Sequence, residues 1–80
     1  MSYTLTQAEY SALKGKLTRA IHSGSPTEII AVAHDARLIF DSKGYPDDWN
    51  RWRIAVDDFQ FDSDNDIRSA ARAESDAWAA

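Results

Sequence analysis

The sequence predicts an all-α protein: an antiparallel three-helix bundle with a fourth, C-terminal helix or helical extension. Apolar residues recur at intervals of three and four along three segments, and no segment alternates with period two over a useful length. Apart from Gly15, the glycines and prolines fall into two clusters, Gly24-Ser25-Pro26 and Gly44-Tyr45-Pro46, which is typical of one helix ending and the next beginning. Such short connections favour antiparallel neighbours.

The first helix is predicted to follow Thr6, whose hydroxyl can cap the helix. The Glu9 side chain can accept a hydrogen bond from the Thr6 backbone N–H, which would complete a capping box. Leu5 and Tyr10 have the spacing of a hydrophobic staple across this start. The apolar stripe predicted to face the core consists of Tyr10, Leu13, Leu17, Ala20 and Ile21.

Two further helices follow the glycine and proline clusters. Ser25 and Glu28 form a second predicted capping box, and Pro26 takes the first helical position, where its missing N–H costs nothing. The third helix is predicted to begin near Pro46-Asp47-Asp48, with two carboxylates at the positive end of the helix dipole. The core stripes of these helices are Ile29, Val32, Ala33, Ala36, Ile39 and Phe40, and then Trp49, Trp52, Val56 and Phe59.

A break is predicted in the stretch Asp62-Ser63-Asp64-Asn65-Asp66, because these residue types favour caps and turns. Ser63 with Asp66, or Asp64 alone, is expected to cap a last helix. The apolar stripe of that helix is thin and is interrupted by Glu74. We therefore expect the helix to be only marginally stable unless it packs against the rest of the protein or another chain.

Length and composition limit the class of protein. Eighty residues allow one domain, made of a three-helix core over residues 1–61 and an acidic turn with a helical segment over residues 62–80. The absence of cysteine excludes a disulfide scaffold and thiolate metal sites. No apolar run approaches about 20 residues, and no basic region followed by a hydrophobic stretch opens the chain. We therefore expect a cytoplasmic protein with no membrane contact.

Residue types that carry chemistry are few. His22 and His34 are the only histidines, and neither has ligand spacing with another histidine. The acidic turn matches the opening of a calcium loop, but Ile67 stands where that loop needs glycine, and Ala73 where it needs a bidentate glutamate. No phosphate-binding glycine loop or nucleophile elbow occurs. We expect no catalytic residue, no metal site and no cofactor, and a protein that is not an enzyme.

The charge is distributed unevenly along the chain. Residues 1–40 carry four basic and three acidic side chains, whereas residues 41–80 carry five basic and ten acidic ones. The segment Trp49-Asn50-Arg51-Trp52-Arg53 interleaves aromatics with arginines as a site for single-stranded nucleic acid would, but both indoles lie on a core stripe. Since the overall charge is -4, direct nucleic-acid binding is not expected.

The candidate contact surface combines this acidity with unassigned apolar residues. Five aspartates, two phenylalanines and no basic residue lie between Asp57 and Asp66, a strip that could dock on a basic protein surface or imitate nucleic-acid phosphates. The alternative is a solvated face kept for solubility. The apolar side chains of Leu38, Ile54 and Phe61 lie away from the core stripes. We expect either the last helix or another chain to pack over them. The candidate partner-binding residues are Leu38, Ile54, Asp57, Asp58, Phe61, Asp62, Asp64 and Asp66.

Several segments resemble a group of small uncharacterised proteins from actinobacteriophages. These segments are Leu13-Lys14-Gly15-Lys16-Leu17-Thr18-Arg19-Ala20, then Phe40 to Trp52 with its Gly44-Tyr45-Pro46-Asp47-Asp48-Trp49, and then Asp57-Asp58. The resemblance covers roughly residues 6–61 and leaves out the tail. It implies a phage or prophage accessory protein acting in the cytoplasm of the host cell, and it supplies no activity or site residues.

Two functions are therefore expected. The first is a non-enzymatic, acidic protein-interaction module, a phage-encoded accessory or inhibitor protein that masks a host or rival-phage macromolecule. The alternative is a structural protein that associates with itself and builds a homo-oligomer through its residual apolar faces. In both cases the partner is a protein, either a foreign one or a second copy.

Overall fold

Four α-helices and one 3₁₀ segment make up the fold in the computed structural model, which describes residues 5–80. The helices are α1 (Gln7–Ser23), α2 (Pro26–Lys43), α3 (Asn50–Asp57) and α4 (Asn65–Ala79), and the 3₁₀ segment (Asp58–Phe61) follows α3 directly. Within residues 5–80 there is no strand, so the all-α prediction is confirmed. The first four residues of the predicted 1–61 core lie outside the described range.

The predicted start of α1 is confirmed in detail. Thr6 Oγ1 accepts from the Glu9 backbone N–H at 3.1 Å, and Glu9 Oε1 accepts from the Thr6 N–H at 3.2 Å, which completes the capping box. Glu9 Oε2 also accepts from Lys43 Nζ at 3.0 Å. These bonds stabilise the carboxylate and lower the pKa of Glu9, the bond from Lys43 contributing most.

The second capping box forms only in part. Ser25 Oγ accepts from the Glu28 N–H at 3.4 Å, and Pro26 takes the first helical position as predicted. The Glu28 carboxylate, however, accepts from Ser23 Oγ at 2.8 Å instead of from the Ser25 N–H. Gly24 between the two helices has φ 71°, a left-handed conformation that glycine adopts without strain.

The third helix begins later than predicted, at Asn50 rather than near Pro46. Its first turn contains no acidic residue, so the expected interaction of two carboxylates with the helix dipole is absent from α3. Asp48 binds α1 instead: it accepts from the Tyr10 hydroxyl and pairs with Lys14 at 3.3 Å. A long-range contact therefore holds this loop against α1 and delays the helix.

The break before the last helix is confirmed. After the 3₁₀ segment the chain bends, and Asp64 caps α4 by accepting from the N–H groups of Asp66 and Ile67 at 2.9 and 3.3 Å. Of the two predicted caps, Asp64 alone is therefore the one that forms.

Most of the predicted stripe residues form the core. Trp52, Phe40, Leu17 and Val56 are the largest fully buried side chains. α2 packs against α1, α3 and α4, and the Trp52 ring meets the Phe40 ring edge-on with centroids 5.1 Å apart. Ile21 is an exception, because it is 51% exposed while its neighbour Ala20 is buried.

The last helix packs on the rest of the protein through a polar contact as well as apolar ones. Glu74, which interrupts its stripe, is only 6% exposed. Its two oxygens bind Arg37 Nε at 2.6 Å and His34 Nδ1 at 2.8 Å, both from α2. The hydrogen bond to Glu74 raises the pKa of Arg37 above its ordinary value, because it stabilises the charged guanidinium.

Of the two alternatives given for covering the leftover apolar residues, cover by the last helix is not what the structure shows. Leu38, Ile54 and Phe61 are 51%, 67% and 87% exposed. α4 instead meets α2 at Arg37 and His34, and Ser75 binds the end of α3 at Asp57 with an Oγ–Oδ1 distance of 2.6 Å. α4 therefore lies against α2 and the end of α3, and the three apolar residues remain exposed.

We expect Trp52→Ala to lower the free energy of unfolding by about 3 to 5 kcal/mol, because it empties the centre of the core. A domain of this size has a total stability of about 5 kcal/mol, so the variant should be largely unfolded at 25 °C. The matched control is Ile54→Ala on the same helix, which should change stability by less than about 0.5 kcal/mol. Circular dichroism with thermal melting measures both, and equal melting temperatures would contradict the prediction.

We expect Glu74→Leu to lower stability by about 1 to 3 kcal/mol, because it leaves Arg37 half-buried without its carboxylate. Adding Arg37→Met should recover most of that loss, since an apolar pair fills the same space. Urea denaturation of the two single variants, the double variant and the parent gives the coupling energy. Arg72→Met, at an exposed arginine of α4, is the control and should not rescue Glu74→Leu.

Candidate protein-interaction surface

The outer side of α3 and the 3₁₀ segment carries two of the three exposed apolar residues of the predicted contact surface, Ile54 and Phe61. Ile54, Asp58 and Phe61 follow one another at spacings of four and three, and the backbone stays right-handed helical through Asp57 and Asp58. This spacing places the three side chains on one side of a continuous helical rod. We call these three residues the α3 surface.

The structure divides the five predicted aspartates into two groups. Three have hydrogen-bonding roles within the protein: Asp57 accepts from Ser75 Oγ at 2.6 Å, Asp62 accepts from the Asp64 N–H at 2.8 Å, and Asp64 caps α4. The carboxylates of the other two, Asp58 and Asp66, make no hydrogen bond or ion pair within residues 5–80. Only these two are available in full to a partner.

Two basic side chains lie close to the acidic strip, although the strip itself contains none. Arg53 Nε lies 4.0 Å from Asp57 Oδ2, and Arg68 Nη1 donates to the backbone carbonyl of Asp62 at 3.0 Å. Both arginines lie outside the strip in sequence and are brought to it by the helices. Asp57 and the backbone of Asp62 therefore have basic partners, whereas the carboxylates of Asp58 and Asp66 have none within residues 5–80.

Leu38 belongs to a different part of the molecule from the α3 surface. It lies on α2 and lines a cavity between α1 and α2 together with Leu13, Val32 and Ile39. Neither Ile54 nor Phe61 lines that cavity. The eight predicted contact residues therefore do not form one surface.

Both indoles of the segment from Trp49 to Arg53 pack against other aromatic rings of the protein. Trp52 is buried, and the Trp49 ring stacks on the Trp78 ring at 5.9 Å with an interplanar angle of 8°. Tyr45 meets both of these rings edge-on. Burial, together with a hydrogen bond to Asp41, raises the pKa of Tyr45 to about 12.

Sequence reasoning missed the polar cluster of Arg37, Glu74 and His34. The available signal was Glu74 itself, a charged residue inside an apolar stripe, which requires a buried partner. The sequence did not show that the partner is Arg37, 37 residues earlier.

Neither a metal site nor a membrane span is found in the part of the chain that the structure describes. Over residues 5–80 no group of three or more His, Cys, Asp or Glu side chains could hold a metal ion. None of the described helices is long and apolar enough to cross a bilayer. No protein-family model, no curated protein and no solved structure matches the chain.

Proposed function

We propose that this protein is a non-enzymatic interaction module whose α3 surface docks on a basic protein surface containing an apolar pocket. The observation that carries the proposal is Phe61, which is 87% exposed next to carboxylates. Burial of a phenylalanine side chain contributes about 1.5 to 3 kcal/mol, and this chain leaves that contribution unused. Aromatic anchors surrounded by a polar rim are typical of the residues that dominate binding energy.

The charges around the anchor favour a basic partner. Asp58 lies beside Phe61 on the same side of the helical rod, and its carboxylate has no partner within residues 5–80. The chain as a whole carries -4, so its long-range field attracts positively charged proteins and repels nucleic acid.

The resemblance of residues 6–61 to small actinobacteriophage proteins extends the proposal. On this view the chain is a phage-encoded accessory or inhibitor protein, and it masks a host or rival-phage macromolecule in the host cytoplasm. The frame that we propose for the surface is an antiparallel bundle of α1, α2 and α3. Only two residues separate α1 from α2, and six separate α2 from α3, which favours antiparallel neighbours.

We expect Phe61→Ala to speed dissociation of a captured partner by about tenfold or more, because a desolvated anchor acts mainly on the lifetime of a complex. The matched control is Ile21→Ala on α1, since Ile21 is also exposed and lies outside the α3 surface. Proteins that bind the immobilised parent chain from a bacterial lysate are isolated, and their dissociation is then followed by surface plasmon resonance. Equal dissociation from the parent, Phe61→Ala and Ile21→Ala would contradict the proposal.

We expect the double change Asp58→Asn and Asp66→Asn to slow association with the same partner and to flatten its dependence on salt. The reason is that exposed charges act over about 8 to 10 Å at physiological ionic strength and mainly steer encounter. Neither carboxylate has a hydrogen bond or ion pair in residues 5–80, so the fold should be retained. Loss of the Asp66 charge from the first turn of α4 should cost only about 0.3 to 1 kcal/mol. Association rates measured at several salt concentrations test this, and an unchanged salt slope would show that the acidic side chains are only solvated.

A further inference from the structure

An apolar groove runs along the seam between α1 and α2. Two adjoining cavities of about 310 and 280 Å³ lie in it and share Leu13, Lys16 and Ile39 as lining residues. The first cavity also has Leu38 in its wall, and the second reaches Leu5. We call this feature the α1–α2 groove.

The rest of the described chain leaves the groove uncovered. α3, the 3₁₀ segment and α4 contribute no residue to the lining of either cavity. Leu38, in the wall of the first cavity, is 51% exposed. Apolar side chains along a seam between two helices are a usual docking place for a further helix.

The charges of the groove are balanced, in contrast to those of the whole chain. It contains two acidic and two basic side chains, while the chain carries -4. Glu9 and Lys43 form an ion pair with each other at 3.0 Å. Lys16 and Asp35, which line the same cavity, make no ion pair within residues 5–80. The groove therefore offers one unpaired charge of each sign.

We propose that a second copy of this chain docks on the α1–α2 groove and forms a two-fold symmetric dimer. A two-fold axis running along the groove places α1 of each copy over α2 of the other. Because Lys16 on α1 and Asp35 on α2 line the same cavity, this operation brings Lys16 of each copy to the partner's Asp35. The groove is self-complementary, and Leu38 of each copy covers apolar surface of the other.

The available area fits a weak, specific dimer. Helices of 17 and 18 residues are about 25 Å long, and a pair of packed helices is about 20 Å wide. Such a face offers about 500 Å² per copy, or about 1,000 Å² in total, which is near the lower limit for a specific interface. Dimerisation should accordingly depend on concentration in the micromolar to millimolar range.

This dimer goes beyond the proposed function and can be tested without any foreign partner. It uses no residue of the α3 surface, so failure of one proposal leaves the other standing. A dimer would present two α3 surfaces and would bind a partner with repeated sites more tightly through avidity.

The first test is sedimentation equilibrium of the full chain from about 10 µM to 1 mM. The average mass of the parent should rise from 9.0 kDa towards twice that value. Leu38→Glu should raise the dissociation constant more than about tenfold, because it places a charge in the apolar contact. Ile54→Glu adds the same charge at an exposed position outside the groove and should leave dimerisation unchanged. Thermal melts confirm that both variants are folded.

The second test exchanges the charges. Lys16→Glu and Asp35→Lys should each weaken self-association about tenfold, since each homodimer then opposes like charges twice. Mixed in equal amounts, the two variants should recover the dimer, because only the mixed pair restores both opposite-charge contacts. A contact within one chain cannot give this recovery.

Three results would overturn the proposal. A parent chain that stays at 9.0 kDa throughout would leave the groove to a foreign helix. Equal masses for Leu38→Glu and Ile54→Glu would place self-association on another surface. A mixture of Lys16→Glu and Asp35→Lys that associates no better than either variant alone would exclude the two-fold arrangement.

Discussion

The burial of Trp52 is the constraint on which the rest of the structure depends. α3 has only eight residues, and a helix of that length is unstable in isolation. The Trp52 ring lies against the Phe40 ring of α2 and the Tyr10 ring of α1, with centroid distances of 5.1 and 5.7 Å. One side chain thus joins three helices. Because Asp48 also binds the Tyr10 hydroxyl, the loop that leads into α3 is held to α1 as well.

Once α3 is fixed, the position of α4 follows from two kinds of contact. Trp78 stacks on Trp49, which supplies apolar area. Glu74 supplies the direction, because a buried carboxylate is tolerated only where Arg37 reaches it. The interruption in the apolar stripe of α4 is therefore the feature that sets its register on α2.

The features that were predicted correctly from the sequence depend on residues that are close together along the chain. Thr6 and Asp64 cap helices by binding N–H groups two or three residues away, so residue type and spacing were enough to predict them. The helical phase likewise predicted that Ile54 and Phe61 lie outside the core. Contacts such as Asp48 with Tyr10, or Asp57 with Ser75, join distant residues and leave no local pattern. For that reason the start of α3 was predicted too early, and the structural role of Asp57 was not predicted.

These long-range contacts also determine the chemistry of the remaining surfaces. Asp57, Asp62 and Asp64 have hydrogen bonds inside the protein, so any binding contributed by the acidic strip must come mainly from Asp58, Asp66 and the exposed Phe61. The α1–α2 groove has no excess of either charge and is lined by none of these residues. A neutral apolar groove favours a partner that brings no net charge to the contact, while an acidic rim with one aromatic anchor favours a basic partner. Because the two surfaces share no residue, the dimer that we propose on the groove would leave the α3 surface of each copy exposed to the basic partner that we propose for it.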